Sequence, residues 1–166
     1  GEVSGNWSNT GPRPEGKVES GKWKAESEDG GPERGVAVAL PQMTALTDKE
    51  IIIPVNVQGV AGKEIISYEF DLRYDPTVIQ PLSEPVDVSG TVSRGLMVVT
   101  NPFEPGLLRV VVYGPMPIDE NGVLLNLRFT PVGTAGSISP LTFERMMFNE
   151  GEFGTTVIDG RVEISF

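Results

Sequence analysis

Ile65-Ile66-Ser67-Tyr68-Glu69-Phe70-Asp71-Leu72-Arg73-Tyr74-Asp75-Pro76 is one of the longest clean alternations of apolar and polar residues in the chain. Ile66, Tyr68, Phe70, Leu72 and Tyr74 fall in one set, Ser67, Glu69, Asp71 and Arg73 in the other. A period of two belongs to extended chain with one buried face. The spacing therefore predicts a strand that turns the first set to a core and the second to solvent. Asp75-Pro76 ends it, because proline fixes φ and has no N–H to give to a ladder. A central strand of an antiparallel sandwich is the natural home for such a pattern.

Shorter strand patterns flank this one. Before it come Val36 to Leu40 and Ile51 to Val57, where Pro54 points to an edge position or a second half-strand. After it comes a loop-rich section, Leu82 to Arg94, then strands over Leu96 to Thr100, Leu107 to Tyr113 and Val123 to Thr130. In the last of these Val123, Leu125, Leu127 and Phe129 share one face. Leu141 to Phe143, Met146 to Phe148 and Val157 to Phe166 complete the set. Asn101-Pro102, Pro105-Gly106, Asp119-Glu120-Asn121-Gly122, Gly133-Thr134-Ala135-Gly136 and Asp159-Gly160 are turn signals between them. About nine short strands without an amphipathic helix predict an all-β fold, an antiparallel β-sandwich with jelly-roll topology.

The apolar residues that would fill this sandwich begin near residue 36. Residues 1–35 hold only Val3, Trp7, Val18, Trp23 and Ala25 among Gly, Pro and charged residues, and read as an extended arm. The arm repeats itself: Ser4-Gly5-Asn6-Trp7 is echoed by Ser20-Gly21-Lys22-Trp23, and each copy runs on to a Gly-Pro turn. Fully extended, it reaches about 115 Å. A tryptophan is costly to leave in water and is enriched at binding hot spots, so Val3, Trp7, Trp23 and Ala25 are candidate anchors on a partner. Two domains are expected, the arm at 1–35 and the sandwich at 36–166.

Composition excludes several classes of function. The chain has no Cys and no His, which removes disulfides, thiolate chemistry, the usual zinc sites and every triad built on imidazole. The formal net charge is −10, with eight basic and sixteen acidic residues after residue 35. Nucleic acid and anionic lipid call for clustered Lys and Arg, so neither is an expected partner. No apolar run is long enough to span a membrane, and a chain that begins with Gly1 reads as a trimmed product whose signal peptide has been removed. Asp71 with Asp75, and Asp119 with Glu120, are carboxylate pairs close in sequence of the kind glycoside hydrolysis would need. Asp75 is more simply a turn former before proline and Asp119 to Gly122 a hairpin turn, so no catalytic residue, metal ligand or cofactor is assigned.

From residue 36 the chain resembles the cohesin domain, the module by which scaffold proteins capture dockerins. Ile53-Pro54-Val55-Asn56-Val57 and Gly59-Val60 are followed by Tyr-x-Phe-x-x-Arg-Tyr-Asp-Pro-x-Val from Tyr68 to Val78, the most specific of the matching elements. Gly106 to Val110, Gly122 to Phe129 and Asp159-Gly160-Arg161-Val162 then match in the family's order. The resemblance implies a β-sandwich that works by protein–protein association. It also implies that outward residues on the organising strand meet the partner, Ser67 and Glu69 standing where dockerin-binding cohesins carry Asn-x-Asp. Asp71 and Arg73 extend that face.

Two readings of function follow. In the first, the chain is a non-catalytic, extracellular or cell-surface subunit whose arm docks on another copy by strand addition or tryptophan anchoring, and so builds filaments. In the alternative, a dockerin binds the sheet face carrying Ser67, Glu69, Asp71 and Arg73; carbohydrate binding on an aromatic platform is a third, weaker reading, since few aromatics are available for it.

Overall fold

The computed structural model describes residues 35–166. They fold into eleven strands: β1 (Val36–Ala39), β2 (Gln42–Leu46), β3 (Ile51–Gln58), β4 (Ile65–Arg73), β5 (Ile79–Asp87), β6 (Met97–Glu104), β7 (Leu107–Ile118), β8 (Gly122–Pro131), β9 (Ile138–Phe148), β10 (Thr155–Ile158) and β11 (Gly160–Ser165). One sheet has the order β10-β1-β3-β8-β5 and the other β2-β11-β9-β4-β7-β6. Both supply one continuous core, in which Ile53, Val55, Leu125 and Leu127 belong to the first sheet and Phe70, Leu72, Val110 and Val112 to the second. Tyr74, just after β4, packs edge-on against Phe129 of β8 with ring centroids 5.1 Å apart, an arrangement favoured by the ring quadrupoles.

The all-β sandwich expected from the alternation is what the chain forms. The organising strand, β4, lies inside the six-stranded sheet between β9 and β7. Tyr68, Phe70, Leu72 and Tyr74 are buried as expected.

Several elements differ from expectation, each for a physical reason. Pro54 is not on an edge strand: β3 lies between β1 and β8. β1 covers β3 only from Asn56 to Gln58, so Pro54 sits beyond the end of that neighbour, where a missing N–H breaks no ladder on that side. The section expected to be loop after Leu82 is strand as far as Asp87. Pro81 and Pro85 interrupt its pattern, and β5 tolerates them because, among the described residues, it is an edge strand paired only with β8. Asn101-Pro102 likewise does not end β6, which runs as an edge strand to Glu104. Met146 to Phe148 and Leu141 to Phe143 are one strand, β9, carrying an irregularity opposite Asp71 and Leu72. In β8 the register shifts opposite Val55 and Asn56, so Leu124 is buried and Val123 only half-buried.

Val157 to Phe166 divides into β10 and β11, and β2 is a strand that the sequence pattern does not announce. These belong to one device. β1 pairs in parallel with β10, and β2 in parallel with β11. The segments 36–46 and 155–165 thus run side by side from one sheet into the other. At the crossing, Arg161 N–H donates to Pro41 O at 3.0 Å and Leu40 N–H to Ile158 O at 2.9 Å. A Cβ on Gly160 would overlap the Pro41 carbonyl oxygen, so only glycine allows the two backbones to lie this close.

Candidate functional site

From Ser67 to Arg73, β4 places its odd-numbered residues on the outer face of the six-stranded sheet, and opposed residues of paired strands point the same way. Across β7, Ser67 faces Tyr113, Glu69 faces Val111 and Asp71 faces Arg109. Across β9, Glu69 faces Met147 and Asp71 faces Arg145. β6 adds Met97 opposite Tyr113 and Val99 opposite Val111. Rows of side chains therefore cross the face, apolar towards Ser67 and charged towards Arg73.

The charged row is internally paired. Arg109 forks onto Asp71, with Nε donating to Oδ1 at 2.7 Å and Nη2 to Oδ2 at 2.9 Å. Arg145, on the other flank, pairs with Glu69. Arg73 forks onto Glu144 at 2.9 and 3.2 Å and also reaches Glu104 at 3.4 Å. The Arg109 hydrogen bonds hold the Asp71 carboxyl below the ordinary carboxylate range against the opposing effect of burial, with the charges of Arg109, Arg145 and Arg73 adding to them. Glu144 is lowered in the same sense by Arg73.

The structure brings Ser67, Glu69, Asp71 and Arg73 onto one face, but not on equal terms. Asp71 is only 6% exposed and is occupied by Arg109, whereas Ser67, Glu69 and Arg73 are half-buried. The expectation that Asp71 is solvated fails because Arg109, from the neighbouring strand β7, forks onto it. Val3, Trp7, Trp23 and Ala25, the expected anchors of the arm, lie outside the described residues. Asp75 is the turn former expected of it, its Oδ1 accepting from the Thr77 amide at 2.9 Å and hydroxyl at 2.7 Å.

Sequence reasoning missed the apolar part of the face. Ile66, Met97, Val99, Tyr113 and Met116 are between 46% and 69% exposed. Tyr113 and Met116, either side of Gly114-Pro115, both stand open. Ile66 was expected in the core. It is exposed because the β4–β7 register is interrupted: Ser67 pairs with Tyr113 but Ile65 with Ile118. Gly114-Pro115-Met116-Pro117 therefore bulges out opposite Ile66 alone, and Ile65 takes the buried position. The two prolines in the bulged segment are the signal that was available.

A two-sheet sandwich whose outer face joins an open apolar group to a paired set of charges has the make-up of a module that meets another protein across a flat surface. A family profile described as the cohesin domain matches residues 36–164, and the chain belongs to the cohesin family, a family of protein–protein interaction modules. No curated protein matches the chain. Among solved structures, a chain from a type I cohesin–dockerin complex of Clostridium thermocellum is 19% identical, over 79% of this chain and 99% of that one, with a TM-score of 0.67. A non-cellulosomal cohesin from the archaeon Archaeoglobus fulgidus is 18% identical, over 80% and 92%, with a TM-score of 0.65. The cohesin module of a family 33 glycoside hydrolase from Clostridium perfringens is 15% identical, over 79% and 97%, with a TM-score of 0.66. At these identities the likeness is one of fold.

Proposed function

We propose that this chain is a non-catalytic cohesin, extracellular or at the cell surface, that captures a dockerin on the outer face of its six-stranded sheet. The observation that carries the reading is the open group Ile66, Met97, Val99, Tyr113 and Met116 beside Ser67 and Glu69, the positions where dockerin-binding cohesins place their contacting polar residues. Exposed apolar side chains next to a polar row provide the desolvated centre and the polar rim of a specific interface. The family match and the relatives solved together with dockerins in Clostridium thermocellum and Acetivibrio cellulolyticus favour this reading over self-assembly through the arm, which rests wholly on residues outside those described.

In this role Asp71 is a support rather than a contact. Its carboxylate holds the Arg109 guanidinium by a bidentate pair. Ser67 offers a hydroxyl where the resemblance leads one to expect an amide, so the partner's complementary group differs from that of an Asn-bearing cohesin.

The test is binding of the intact chain to a displayed panel of dockerin modules. Capture of a dockerin that is lost with Tyr113→Asp and with Glu69→Arg, and kept with Ile52→Asp on the outer side of the other sheet, supports the reading. Capture of none, or capture indifferent to both face variants, overturns it.

A further inference from the structure

β9 ends at Phe148, its last residue paired with β4, opposite Tyr68. The next two residues of β4 towards its start, Ser67 and Ile66, therefore have backbone amides that β9 cannot take. On the other flank, the β7 bulge has left Ile66 without an opposed residue. An edge of this kind, at the end of a strand inside a sheet, frays unless its donors find acceptors. Asn149 supplies one. Its Oδ1 accepts from the Ile66 amide at 2.9 Å and from the Ser67 amide at 3.3 Å. Its Nδ2 donates to Glu64 O at 3.0 Å and to Glu152 Oε1 at 3.0 Å.

The backbone around these contacts is unusual on both sides. Asn149 and Glu150 have φ of 48° and 61°, and Glu64, just before β4, has φ of 53°. Asn is among the few side-chain-bearing residues that enter this left-handed region readily. Asn149 thus satisfies the backbone needed to turn out of β9 and, with its amide, the start of β4.

We infer that Asn149 is a positioning residue of the docking face: its carboxamide holds the irregular start of β4 so that Ile66 and Ser67 stand outward beside Tyr113. This rests on the reading of that face as the partner surface. Asn149 contacts the backbone of these residues from the β9 side, across β4 from the bulge, and its effect on a partner passes through them. With the carboxamide gone, Ile66 is free to rotate towards the inward position that the simple alternation assigns it, and the apolar group loses a member.

The inference is tested with Asn149→Gly and Asn149→Asp in the full chain. Glycine suits the left-handed backbone but provides no acceptor; aspartate keeps the acceptor and loses the donor to Glu64 and Glu152, and is made together with Glu152→Gln so that no carboxylate faces it. Amide hydrogen exchange at Ile66 and Ser67, resolved by NMR, is expected to be at least tenfold faster with Gly and within about threefold of the parent with Asp. Affinity for a dockerin recovered from the displayed panel is expected to fall about tenfold with Gly and to be restored with Asp, with unfolding midpoints of the two variants alike. Unchanged exchange in Asn149→Gly overturns the inference, and so does faster exchange with undiminished affinity. If the parent chain captures no dockerin, the docking reading fails, and with it the assignment to a docking face; exchange then reports only whether Asn149 holds the strand.

Discussion

Asp71 and Arg109 are 38 residues apart in the chain and directly opposed across β4 and β7, joined by two parallel hydrogen bonds of 2.7 and 2.9 Å. The Asp71 side chain is covered while the Arg109 side chain is 39% exposed. The pair is therefore covered at its acidic end and half-exposed at its basic end, in the charged part of the face proposed for docking. Opposite charges set across neighbouring strands also fix their register.

Replacing Arg109 with Met removes both donors and leaves the Asp71 carboxylate covered. The expected loss is roughly 1–3 kcal/mol of unfolding free energy, measured by urea denaturation. Asp71→Asn, which leaves no buried charge, is expected to cost less. An Arg109→Met chain as stable as the parent would show that solvent takes over the role of the guanidinium.

The same pair sets an acid limit. Arg109 holds the folded carboxyl of Asp71 below its ordinary value of 3.8, so the unfolded chain takes up the proton first as pH falls. The stabilisation is complete above the ordinary carboxylate range and is lost as pH drops through the lower, folded value. Stability is expected to fall below about pH 4, and less steeply in Asp71→Asn. Parallel acid curves for parent and variant would refute the linkage.

At the alkaline end the corresponding group is Tyr68. Its hydroxyl is buried and shares a 2.7 Å hydrogen bond with Ser93, and burial pushes its ionisation well above the ordinary tyrosine value of 10.0. A raised acid pKa gives stability that is present below the unfolded value and is lost as pH rises beyond it. Unfolding above about pH 10 is expected to be shallower in Tyr68→Phe. That variant also leaves Ser93 without its phenolic partner, at a cost of about 1 kcal/mol near neutrality, and Tyr68→Phe with Ser93→Ala is expected to cost less than the sum of the two.

Gly160→Ala is expected to destabilise by about 1–3 kcal/mol, because the added methyl meets the Pro41 carbonyl where the two crossing segments touch. Gly154→Ala provides the comparison, since its Cβ would meet nothing within 4 Å. Equal thermal midpoints for the two variants would show that the crossing can open without cost.

Tyr113→Ala is expected to leave the unfolding midpoint unchanged and to weaken capture of a dockerin tenfold or more, as for an aromatic at the centre of an interface. Ile52→Ala, on the opposite sheet, is expected to change neither. Surface plasmon resonance with both variants decides between the two faces.

Much of this protein can be read from local pattern. The alternation through Tyr68, Phe70, Leu72 and Tyr74, the Asp75-Pro76 turn and the β8 set Leu125, Leu127 and Phe129 place strands and buried faces correctly, because side-chain direction in extended chain repeats every two residues. The same rule fails at Ile66 and at Val123. Each lies beside a register shift between two strands, and a shift is a property of the pair and is invisible in either strand alone. β5 and β6 were hidden or shortened for a related reason: Pro81, Pro85 and Pro102 read as strand breakers until their strands are known to be edges.

Alternation and turn residues were enough to make this chain a β-sandwich, and the order of its motifs was enough to suggest cohesin. Which side chains remain available on the outer sheet depended on contacts between positions far apart in sequence. Arg109 and Arg145 come from β7 and β9 to flank Asp71 on β4, and Asn149 reaches back 83 residues to hold Ile66. Propensity and periodicity act over a few residues and fix which way a lone strand turns its side chains; exposure and pairing depend on which strands become neighbours, and that is settled by burial of one shared core.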